Sequence, residues 1–68
     1  MASYYLAPET WDSSSYRDVY TQEQIDQLPD DWNASADDCE YLGDFKTEAE
    51  AIAEAKQNPH FASEMRDR

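Results

Sequence analysis

Cys39-Glu40-Tyr41-Leu42-Gly43-Asp44-Phe45, followed by Thr47-Glu48-Ala49-Glu50-Ala51-Ile52-Ala53-Glu54-Ala55, is the stretch that decides the fold. In its first part apolar and acidic residues alternate, as a half-buried strand requires. Cys39, Tyr41, Gly43 and Phe45 are expected on one face, with Glu40, Leu42 and Asp44 on the other. The second part opens with the Thr-x-x-Glu spacing of a capping box and puts acids in the first turn, where the helix dipole favours them. Ala49, Ile52, Ala53 and Ala55 then supply a small-residue packing face. The spacing predicts a helix from Glu48 to about Asn58. Pro59 interrupts it, and Phe61 with Met65 at i,i+4 adds one further apolar turn.

Working back toward the N-terminus, Thr21-Gln22-Glu23-Gln24 has capping-box spacing and predicts a short helix starting at Gln22. Tyr20 and Ile25 are spaced as a hydrophobic staple, and Pro29 stops the helix within two turns. Ile25 and Leu28 should share one buried stripe. Ser3-Tyr4-Tyr5-Leu6, closed by Pro8, suits an N-terminal strand. Glu9 to Ser15 reads as a polar loop anchored by Trp11, and Tyr16 to Tyr20 as a second strand with Tyr16, Asp18 and Tyr20 on one face. Asp30-Asp31 and Asn33 to Asp38 form a polar connection around Trp32, which is expected to plug the core. Arg66 and Arg68 read as a fraying end. The sum is one small α+β domain over residues 1–68, a two- or three-stranded antiparallel sheet packed by one main helix and one or two short helices.

The chain has 68 residues, with 16 Asp plus Glu against five Lys plus Arg and a net charge of −11 at pH 7. A domain this short is marginal, so its limited apolar set, including nine aromatic residues, must supply the core. No apolar run is long enough for a membrane span, and the first residues lack a basic, apolar signal. A soluble, cytoplasmic protein is expected. One cysteine forms no internal disulfide, and Cys39 reads as a buried thiol.

The inventory for catalysis is small, with one His and one Cys. Cys39 and His60 belong to different elements without an orienting third group. The acids do not follow the calcium-loop pattern, and there is no phosphate-binding glycine loop or serine elbow. No enzyme activity, metal or cofactor is therefore expected. Direct binding to nucleic acid or to an anionic membrane is excluded by the sign of the charge.

From Glu9 to Glu54 there are 14 acidic residues and only two basic ones, Arg17 and Lys46, so the charge runs through the folded part of the chain. A carboxylate array of this kind suits a groove lined with Lys and Arg. Alternate strand residues, or helical residues at i,i+4, set carboxylates about 6 to 7 Å apart, close to two phosphate steps of a duplex strand. Asp30, Asp31, Asp37, Asp38, Glu40, Asp44, Glu50 and Glu54 are the expected partner-binding residues, arranged as one ridge. Exposed Tyr and Trp would add base-like stacking.

In length, in charge and in the acidic run from Asp30 to Glu54 the chain resembles small phage- or mobile-element-encoded inhibitors, the anti-CRISPR and anti-restriction proteins that act as DNA mimics. The resemblance implies stoichiometric, non-catalytic blockade of DNA binding by a bacterial defence complex in the host cytoplasm, by a monomer or weak dimer. Two alternatives use the same composition. One is an immunity or antitoxin protein that neutralises a basic toxin; the other is a salt-adapted acidic domain with some other binding role.

Overall fold

The computed structural model describes residues 1–11 and 16–65. Residues 12–15 of the expected polar loop and the Arg66 and Arg68 end lie outside those residues. β1 (Ala2–Leu6) is the central strand of a three-stranded sheet, flanked by β2 (Val19–Thr21) and β3 (Glu40–Phe45), both antiparallel to it. α1 (Gln22–Asp26), α2 (Glu48–Lys56) and α3 (Pro59–Glu64) pack around the sheet, giving the α+β class the sequence predicts.

The helix boundaries follow local chemistry. Thr21 Oγ1 accepts from Gln24 N at 3.0 Å while Thr21 N donates to Gln24 Oε1 at 2.9 Å, which completes the first capping box. Thr47 Oγ1 caps α2 by accepting from Glu50 N at 3.3 Å. α2 ends at Lys56, earlier than expected, because a new helix begins at once. Asn58 Oδ1 accepts from His60 N at 3.0 Å, and Pro59 takes the first helical position, where its missing N–H costs nothing.

Alternation along β1 divides the apolar residues between two clusters, one on each sheet face. Tyr4 and Leu6 join Val19, Ala51, Ala55 and Met65 beneath α2 and α3, with Ala2, Leu42, Phe45, Ile52 and Phe61 around them. Tyr5 and Tyr20 turn the other way, to Ala7, Trp11, Ile25, Leu28, Ala34, Ala36 and Cys39. Trp11 and Tyr20 meet at 5.7 Å between ring centroids. The second cluster brings α1 and the connection after it onto the sheet, so both faces are covered.

Four expectations are corrected. A bulge between Tyr4 and Tyr5 on the β1–β3 ladder pairs Tyr4 with Gly43 but Tyr5 with Tyr41, leaving Leu42 as the extra residue. Beyond it the faces exchange, so Leu42 and Phe45 share the helix-side cluster while Tyr41 packs on Tyr5, their ring centroids 5.3 Å apart. Gly43 accommodates the kink at φ 127°, a conformation a side chain resists. On α2 the buried residues are Ala51 and Ala55, whereas Ala49 and Ala53 are exposed. β2 is shorter than expected, because Arg17 instead makes an isolated parallel bridge to Met65. Trp32 is 39% exposed and stands outside the cluster, which is built instead on Trp11 and Ile25 with Tyr20 packed against them.

Arg17 ties the C-terminal helix to the end of β1. Its guanidinium donates to Ala7 O at 2.9 Å and Leu6 O at 3.5 Å, pairs with Glu64 at 3.3 Å, and lies 5.3 Å from the centre of the Phe61 ring.

Candidate functional site

The connection from α1 to β3 is an alternation of anchors and charges. Leu28, Ala34, Ala36 and Cys39 pack against the second cluster, holding two short 3-10 turns, Asp30–Trp32 and Ala36–Asp38, on that face. The acids occupy the starts of these turns, where N–H groups lack helical acceptors. Ser35 Oγ accepts from Asp37 N at 3.2 Å, and Asn33 joins the turns in the left-handed conformation at φ 53°. Asp30, Asp31, Asp37 and Asp38 are all exposed, and Trp32 stands beside the first pair.

β3 carries the next two carboxylates, which the bulge separates. Asp44 is opposite Ser3, on the face covered by that connection, and Glu40 is opposite Leu6, on the helix side. Asp44 Oδ1 accepts from Ser3 Oγ at 2.6 Å and from Tyr41 OH at 3.0 Å. These bonds, Ser3 foremost, hold the Asp44 carboxyl below its ordinary pKa. The bond to Asp44 raises that of Tyr41, which remains a protonated donor with 60% of its surface exposed.

Glu50 and Glu54 stand one turn apart on α2. Thr47 Oγ1 donates to Glu50 Oε1 at 3.3 Å. Glu54 borders a groove of about 470 Å³ between β3 and the α2–α3 junction, lined also by Tyr41, Leu42, Gln57, Asn58 and Phe61.

All eight predicted carboxylates are exposed, and among the described residues none is paired with a basic side chain. They are not one ridge. Asp30, Asp31, Asp37, Asp38 and Asp44 belong to one side of the sheet and Glu40, Glu50 and Glu54 to the other, with β3 as the seam between them. Sequence reasoning missed Ser3 and Tyr41 as partners of Asp44, because a bulge has no alternation signal. Gln57, Asn58 and Phe61 were missed because the groove exists only once α3 folds back.

Burial and the neighbouring Asp38 push the Cys39 thiol up to about 11, and its Sγ donates to Ser35 O at 3.5 Å. It is half-buried among the anchors of the connection. His60 is exposed on α3, 3.5 Å from Glu64. Among the described residues no group of three His, Cys, Asp or Glu is arranged to hold a metal ion, and no helix is long and apolar enough to cross a membrane.

Comparison with protein-family models, curated proteins and solved structures finds no match.

Proposed function

We propose that the protein is a stoichiometric, non-catalytic inhibitor that occupies the basic nucleic-acid groove of a bacterial defence complex, in the manner of anti-CRISPR and anti-restriction DNA mimics. The observation that carries this reading is the exposed set of eight carboxylates, none paired with a basic side chain among the described residues, on a scaffold whose Arg17 is turned inward to Leu6, Ala7 and Glu64. Folding such a chain concentrates like charge, and a cationic partner relieves that cost.

Charge density supports the reading. The longest dimension is 31 Å, a length over which a duplex carries about 18 phosphate charges at one per 1.7 Å. A net charge of −11 in that length is about 60% of the duplex value. The two carboxylate groups on either side of β3 stand in for two phosphate strands, and Trp32 and Tyr41 offer exposed rings to side chains that would otherwise stack on bases. Arg forks in the partner bind carboxylate with the geometry they use for phosphate.

The test is displacement of a labelled duplex from RNA-guided effectors and restriction enzymes, with a sequence-specific repressor as control. Near-stoichiometric inhibition of one effector, weakening as salt rises from 50 to 300 mM, is expected. Changing Asp30, Asp31, Asp37 and Asp38 to Lys, or Glu40, Glu50 and Glu54 to Lys, should each abolish it with circular dichroism unchanged. Full inhibition by both variants, or capture of a toxin without a nucleic-acid site, would refute the assignment.

A further inference from the structure

β3 lies at an edge of the sheet, and no described residue pairs with its outer side. The opposite edge is different, because β2 is three residues long and is continued by the Arg17 to Met65 bridge. β3 is six residues long, and half of its backbone N–H and C=O groups point away from β1. Beside this edge runs the groove lined by Leu42, Glu54, Gln57, Asn58 and Phe61.

We infer that the outer edge of β3 and the adjoining groove accept an extended, cationic segment of a partner protein as a fourth, added strand. The occupant follows from charge. A second copy is disfavoured by charge, because each molecule carries −11 and edge-to-edge pairing of two β3 strands would bring the Glu40 and Asp44 carboxylates of both copies into one sheet. The acids that guard the edge against its own kind attract a strand of opposite sign. Its side chains alternate between faces. On one face a Lys or Arg beside the exposed Tyr41 ring reaches the Asp44 carboxylate bonded to its hydroxyl; on the other an apolar residue enters the groove between Leu42 and Phe61, rimmed by Glu54. The bulge at Leu42 confines the new ladder to the first half of β3. The inference rests on the partner being a cationic protein and adds that part of the contact is backbone pairing.

The experiment titrates the whole isotopically labelled protein with three capped heptapeptides: alternating Lys-Val, alternating Lys-Pro of equal charge, and alternating Glu-Val. The Lys-Val peptide should bind saturably, slow amide exchange in β3, and bind at least tenfold more tightly than Lys-Pro, which lacks alternate N–H donors. Glu-Val should not bind. Glu54→Lys, on the exposed side of α2, should weaken the Lys-Val peptide about fivefold, and Tyr41→Lys should do so independently. Equal affinity for Lys-Val and Lys-Pro, or protection located away from β3, overturns strand addition. Duplex displacement retained in that case leaves the inhibitor reading standing, whereas β3 protection without duplex displacement refutes only that reading.

Discussion

Replacing Arg17 with alanine removes every interaction of a guanidinium that is only 12% exposed. The strongest is the charged hydrogen bond to Ala7 O at 2.9 Å, and bonds of this type contribute about 1.5 to 3 kcal/mol. The ion pair with Glu64, itself 28% exposed, adds about 0.5 kcal/mol after solvent screening. The guanidinium over Phe61 adds about another 0.5 to 1 kcal/mol. These contributions share one side chain and do not sum fully, so a loss of about 3 kcal/mol is expected. At roughly 0.05 to 0.15 kcal/mol per residue, a domain of this length has only about 3 to 10 kcal/mol in all. The melting temperature should fall by about 12 to 24 °C. Urea titration followed by circular dichroism measures the loss, with Glu64→Gln as control, expected to cost under about 1 kcal/mol because only the ion pair weakens. If Arg17→Ala stays within about 1 kcal/mol of the parent, or matches Glu64→Gln, the bonds to the end of β1 are not what holds the C-terminal helix.

Three further outcomes are expected. Cys39, pushed up to about 11 from 9.0, should react with iodoacetamide at pH 8 about tenfold more slowly than a small-molecule thiol of pKa 9, the lower thiolate fraction being partly offset by greater nucleophilicity, and urea should abolish the difference. Gly43→Ala should destabilise by about 1 to 2 kcal/mol through backbone strain at φ 127°; the Phe45 ring, 3.4 Å from the added carbon, leaves room for it, so an unchanged urea midpoint would contradict the bulge. Asp44 is held below its unfolded pKa, so its contribution is present above the ordinary carboxylate range and lost as pH falls through the lowered value. Asp44→Asn should therefore flatten the acid limb of a stability curve, and an identical limb in both proteins would show that the Ser3 and Tyr41 bonds carry no stability.

Elements bounded by local chemistry were legible in the sequence. Thr21, Thr47 and the two prolines that follow helices act within four residues of themselves, and the helices begin and end close to where those signals stand. Ile25 is buried as its place in the expected stripe requires. What escaped depended on distant partners. The bulge at Leu42 is a property of the β1–β3 register, and one extra residue sent Glu40 and Asp44 to opposite faces although their spacing is that of neighbours on one face. Trp32 has the composition of a core residue, but the cluster is built on Trp11 instead. Every predicted carboxylate proved exposed; their division into two groups depends on the connection after α1 folding over the face that α2 leaves open.

The centrality of β1 governs when the molecule comes into being during synthesis. Ala2 to Leu6 are made before either of their neighbours, one of which extends to Phe45, and the Arg17 clasp waits for Glu64. Such distant pairings delay assembly until synthesis has passed Glu64. A nascent chain therefore displays its Tyr and Leu side chains without shelter, and the abundance of like charge along it keeps neighbouring nascent copies apart through that interval.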